Sequence, residues 1–136
     1  MVREIVRDEA FLSEPSEAAT EADMSIGEDL LDTLRAHRDC CVGLAANMIG
    51  VRKCIIVFVD GGMKFVMYNP VILKKSGAYE AKEGCLSLEG KRKTTRYKTI
   101  RVRYYDAQYR RRSAFFEGWR AQIIQHEIDH CNGIVI

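Results

Sequence analysis

The stretch Gln125-His126-Glu127-Ile128-Asp129-His130 restricts the fold more than any other feature of the chain. Two histidines four residues apart face the same way on an α-helix, where one turn separates them. Trp119, Ile123, His126 and His130 follow at spacings of four, three and four, which is a single helical stripe. The spacing predicts a helix from about Glu117, stopped by Asn132-Gly133. Because the histidines share a stripe with Trp119 and Ile123, a solvated surface helix is a poor reading.

The rest of the chain supplies strands for such a helix. Lys53 to Val59 is a β-branched and aromatic run that suits a buried strand. Asp60-Gly61-Gly62 reads as a hairpin turn, and Met63 to Tyr68 as the returning strand, stopped by Asn69-Pro70. Val71 to Lys74 reads as another short strand. Thr99 to Tyr105 alternates apolar and basic residues, as a half-exposed strand does. Ala107-Gln108 turns it back toward Arg110–Phe115. Near the start, residues 11–24 read as an extended arm. Ser25 and Glu28 have capping-box spacing ahead of a helix from Ile26 to Arg38. The expected class is α+β, with mixed or antiparallel sheets around the histidine helix. With 136 residues, the expectation is one domain over 1–136.

Charge and cysteine content narrow the functional classes. The net charge is only +2, but residues 1–40 hold 11 acidic and 4 basic side chains. Residues 91–112 hold ten basic side chains against Asp106. No apolar h-region opens the chain and no apolar run is long enough for a bilayer, so the expectation is a cytoplasmic protein with no membrane role. Five cysteines, an odd number, argue against a disulfide framework. In a reducing compartment a cysteine near histidines is more often a ligand or nucleophile.

His126-Glu127-Ile128-Asp129-His130 contains the HExxH pattern. Both imidazoles can reach one metal ion, and Glu127 can take a proton from water activated there. A catalytic site needs a third protein ligand. No His or Glu follows the pattern, so that ligand lies upstream. The best candidate is Cys85 in Glu83-Gly84-Cys85-Leu86-Ser87, where a glycine lets backbone approach a metal. Read singly, Cys85 is also compatible with a small buried hydrophobe. A third segment, Cys41-Val42-Gly43-Leu44-Ala45-Ala46-Asn47-Met48, is a small-residue joint between helix and strand.

In this order the three segments resemble the motifs of the peptide deformylases, GxGxAAxQ, EGCLS and QHExDH. The second and third are complete here. The resemblance implies an α+β fold with the metal helix packed between sheets. It implies Cys85, His126 and His130 as ligands to a divalent ion, commonly ferrous iron, with zinc, nickel or cobalt as substitutes. It implies hydrolysis of the N-formyl group from formyl-methionine on nascent polypeptides. Glu127 would be the general base, and the Leu86 N–H an oxyanion donor. The motif-one glutamine, the family's other donor, is Met48 here, and Cys41 stands for the first glycine. A thioether has no N–H to give, and one lost oxyanion donor typically costs on the order of a hundred- to a thousandfold in rate. The expectation is therefore weak or altered activity. Backbone at Val42, Gly43 and Gly84 is expected to pair with an extended peptide, Ile123 to line the methionine pocket, and Arg92 to lie near the site.

Three rivals stand beside that reading. The first is a catalytically impaired homologue acting as a metal-containing binding protein. The second is an HExxH peptidase, which would take its third ligand downstream. The third is a nucleic-acid module built on the basic run. Residues 91–112 are also the expected contact if the ribosome is a partner.

Overall fold

The computed structural model describes residues 1–85 and 90–135. Its elements are α1 (Glu9–Leu12), α2 (Met24–Ala36), β1 (Gly43–Ala45), β2 (Ile55–Asp60), β3 (Met63–Glu83), β4 (Arg92–Tyr105), β5 (Arg111–Glu117) and α3 (Gly118–Cys131). Short 3-10 turns occupy Glu21–Asp23 and Ala46–Ile49. The five strands form one antiparallel sheet in the order β1-β2-β3-β4-β5. The class is α+β, as expected. Among the described residues, no helix is long and apolar enough to cross a membrane.

The core lies where β2 meets the two long helices. Ile55, Ile56, Val57 and Phe58 are all fully buried, because α2 and α3 both pack against this strand. A continuous apolar run without alternation is what burial on both faces selects. α2 contributes Leu30 and Leu34. It also sits so close to β3 that a Cβ at Gly27 would overlap the Tyr68 hydroxyl.

Four expectations need correction. The arm is not wholly extended, since it holds α1 and the Glu21–Asp23 turn. Ser25 does not cap α2, which begins at Met24. The capping exchange lies one turn earlier, where the Thr20 N–H donates to Asp23 at 2.8 Å. Asn69-Pro70 does not end a strand, because β3 runs through it for 21 residues with a register shift between Tyr68 and Val71. A bulge tolerates proline, and Asn69 takes the left-handed φ of 53° that the bend requires. Trp119 is 55% exposed rather than buried on the histidine stripe, since it stands in the first turn of α3 before the helix enters the core.

Candidate metal centre

α3 enters the core almost whole, with Ile123, Ile124, Gln125, His126, Glu127 and His130 all buried. Burying polar groups demands partners, and the neighbouring elements supply them. The Gln125 amide takes the Tyr97 N–H and donates to the Tyr97 carbonyl, both at 2.9 Å, so it acts as a surrogate strand partner for β4. Asn47 donates to the His130 carbonyl at 2.9 Å, tying the Ala46–Ile49 turn to the last turn of α3. Arg96 of β4 donates to Asp129 at 2.6 Å and to Glu83 at 2.7 Å.

Glu83 is the hub of this network. Its carboxylate accepts from Arg96, from Gln122 at 2.9 Å and from His126 Nδ1 at 2.8 Å. Burial works against the ionised carboxyl, but hydrogen bonds from His126, Arg96 and Gln122 outweigh it and hold Glu83 at about 2. With Nδ1 donating to Glu83, the lone pair of His126 is left on Nε2. That atom lies 3.1 Å from His130 Nε2. Burial pulls His130 down to about 3, so it stays neutral. Burial also disfavours protonated His126, but the Glu83 hydrogen bond more than offsets this and raises it.

Ligand atoms of His126, Glu127 and His130 all lie within 4.8 Å of one another. Burial pushes the Glu127 carboxyl up to about 7. Glu127 Oε1 and His130 Nδ1 are buried without a hydrogen-bond partner among the described residues. Two imidazole nitrogens at 3.1 Å are close to the edge of about 3.3 Å that two Zn–N bonds of ~2.0–2.1 Å subtend in a tetrahedron. The donor set therefore fits a divalent cation. Cys85 is outside the 4.8 Å cluster but lines the same cavity.

That cavity measures about 780 Å³. Met48, Gly43, Ile123, His126 and Glu127 form its buried end, and Val42, Gly84 and Cys85 also line it. Gly43 admits no side chain, since a Cβ there would stand 2.9 Å from Glu127 Oε2 and 3.0 Å from Ile123 Cγ2. β1 is an edge strand. The Val59 N–H donates to the Val42 carbonyl, so in the alternating ladder the next pair, Gly43 with Phe58, turns its Gly43 N–H and carbonyl to the free edge. Met48 is buried, and its sulfur accepts from the Ala45 N–H at 3.5 Å.

One expected residue is not brought into this group. Arg92 does not line the cavity. Its guanidinium instead donates to the Val135 carbonyl at 3.1 Å and to Glu9 at 3.2 Å, fastening β4 to α1 and the segment after α3. Leu86 lies outside the described residues. Conversely, Arg96, Gln122, Gln125 and Asn47 support the site, and none stood out as a site residue in the sequence. Gln125 and Asn47 lie inside the motifs, which is the one signal they carried.

Comparison with known proteins agrees with this fold. Residues 2–136 match the family model described as polypeptide deformylase. The chain is 55% identical over 136 residues to the peptide deformylase of Clostridium beijerinckii, with both chains covered in full. Among solved structures, it superposes on a Met-Ala-Ser-bound class I type b peptide deformylase from Acinetobacter baumannii. The TM-score is 0.88 at 26% identity, covering 99% of this chain and 97% of that one. It also superposes on the peptide deformylase of Thermus thermophilus, with TM-score 0.86 at 33% identity, covering 99% and 83%. With its family model matched almost end to end and its fold shared, the chain belongs to the polypeptide deformylase family, a class of metallohydrolases.

Proposed function

We propose that this chain removes the N-formyl group from formyl-methionine at the start of nascent polypeptides, at a rate limited by Met48. The observation that carries the reading is the convergence of His126, Glu127 and His130 at the buried end of a cavity bordered by a free strand edge. Cys85, His126 and His130 would hold the cation, with ferrous iron the first choice and zinc, nickel or cobalt as alternatives. When bound, it acidifies a water and polarises the formyl oxygen.

The chain's own residues do the rest. The free edge at Gly43 and the backbone at Val42 and Gly84 hold the peptide extended; that a peptide is the ligand is supported by the Met-Ala-Ser-bound Acinetobacter relative. Ile123 borders the methionine side chain. Glu127, raised by burial, takes a proton from the attacking water and delivers it to the departing amine. Glu83 keeps the His126 proton on Nδ1 and so frees Nε2. Oxyanion support is the weak point, because the Met48 sulfur is an acceptor already turned to the Ala45 N–H. The Leu86 N–H enters through its motif alone. The chain would act as one domain, in the cytoplasm. Exposed members of 91–112 are the surface to test against ribosomes by salt-sensitive co-sedimentation.

The test is formate release from a formyl-Met peptide by protein loaded anaerobically with iron(II), with Met48→Gln alongside. The wild type is expected to be slow and the glutamine variant about tenfold faster or more. If both are inert with metal fully bound, the enzymatic reading is wrong. The alternative, a metal-containing binding protein for N-termini, is then favoured by the same Met48.

A further inference from the structure

The mouth of the cavity carries charge that the proposed chemistry does not use. Three cations line it: Arg38 just past α2, Lys82 near the end of β3 and Lys91 just ahead of β4. All three are exposed. Asp39 is the one acidic side chain exposed beside them among the described lining residues. Neighbouring cations behave differently. Arg92 reaches Glu9 and Lys93 reaches Glu80, while Arg120, from the facing helix, reaches Asp60. Among the described residues, Arg38, Lys82 and Lys91 have no such side-chain partner. Lys91 lies beside Gly84, its Cγ 3.6 Å from where a Cβ on that glycine would stand.

We propose that Arg38, Lys82 and Lys91 form a carboxylate-binding subsite at the cavity mouth, so that this chain favours peptides with a carboxylate two or three residues along from the formyl-methionine. The inference rests on the reading above for the direction of the peptide. With the formyl group at Glu127 and the chain extended along the Gly43 edge, each residue advances about 3.3 Å. The second and third residues then lie roughly 7–10 Å along from the formyl group, toward the exposed end of the cavity. Among the described residues, an acidic side chain there meets three exposed cations against one exposed acid, Asp39. A lysine meets repulsion. Charge complementarity of this kind acts mainly on specificity. The carboxylate can come from an aspartate side chain or from the C-terminus of a very short peptide, and both present the same group.

Binding of unformylated tripeptides to the metal-loaded protein tests this without relying on turnover. The probes are Met-Asp-Ala-amide, Met-Ala-Asp-amide, Met-Asn-Ala-amide, Met-Lys-Ala-amide and Met-Ala-Ala with a free C-terminus, titrated calorimetrically at low salt. At least one aspartate peptide is expected to bind about five- to tenfold more tightly than the asparagine peptide, and the lysine peptide more weakly still. The advantage should shrink in 0.5 M salt, where screening is within about 5 Å. It should vanish in the double variant Lys82→Gln, Lys91→Gln. Tight binding by Met-Ala-Ala with a free C-terminus would make the terminal carboxylate a second source for the same subsite. Equal affinity for the aspartate and asparagine peptides overturns the proposal, as does absence of saturable binding by every peptide. Preferred binding here, together with no formate released from the formyl-Met peptide by the iron(II)-loaded protein, would overturn the enzymatic reading and leave the subsite standing.

Discussion

Residues around the cavity divide by how visible their task is in the chain. His126, Glu127 and His130 announce themselves through spacing, because the helix imposes it. Glu83 does not, since its partner Arg96 lies 13 residues away in a basic run that reads as a solvated strand face. The β3–β4 register does not pair them, since it sets Glu83 opposite Arg92 and Tyr79 opposite Arg96; their side chains meet against α3, where Arg96 also reaches Asp129 and Glu83 also reaches His126. Glu83→Gln should weaken metal affinity about 10- to 100-fold by loosening His126, read by chelator competition. Leaving Arg96 with Asp129 as its remaining carboxylate should also cost about 3 kcal/mol in urea unfolding. A variant with wild-type metal affinity would show that His126 needs no such anchor. Gly43 is a parallel case. Gly43→Ala puts a Cβ inside contact distance of Glu127, Ile123 and the Val57 carbonyl. The expected outcome is a loss of about 1–3 kcal/mol together with a fall in kcat that exceeds any change in KM.

At the scale of elements, local pattern located α2, β2 to β5 and α3 but misjudged where they end, and it missed α1 and β1, the latter read as a small-residue joint. The β2–β3 hairpin is where Asp60-Gly61-Gly62 put it, because turn chemistry is local. β3 overruns Asn69-Pro70 because long-range contacts decide the matter. The Asn69 amide donates to the Ala19 carbonyl at 2.8 Å and its oxygen accepts the Ala19 N–H at 2.7 Å. The arm thus joins the bulge as though it were a strand, and no window of sequence around Asn69 contains that partner. Asn69→Gly would keep the left-handed φ and lose both bonds, while Asn69→Ala would lose the bonds and strain the backbone. Thermal unfolding should place both below wild type, the glycine variant by about 1–2 kcal/mol and the alanine variant further. Equal stability of the three would mean that the arm is held elsewhere.

Across the whole molecule, the charge asymmetry is cancelled in part by pairing. Acidic residues of the first forty pair with later cations, Glu9 with Arg92, Glu14 with Arg52 and Glu17 with Lys53. Arg96 lies buried within the site. A count of charges along the chain cannot foresee this, because it contains no distances. What the sequence did convey at this scale is that one helix must be enclosed with its histidines inward, and that requirement couples the metal to the fold. α3 packs on β1, β2 and β4, and its His126 lines a cavity that Cys85 also lines. A cation held by Cys85, His126 and His130 would therefore join the helix to the segment between β3 and β4. Anything bound by the native state alone stabilises it, by about 2.7 kcal/mol at a hundred times Kd. For a chain of this size that is a rise in Tm of roughly 5–15 °C. Dialysis against a strong chelator should lower Tm by that much, and iron(II) or zinc should restore it. In Cys85→Ser the rise should be smaller, and in His126→Ala absent. If Cys85→Ser keeps the full rise, the third ligand is another group, and Glu127, already within 4.8 Å of both histidines, is the residue to test next.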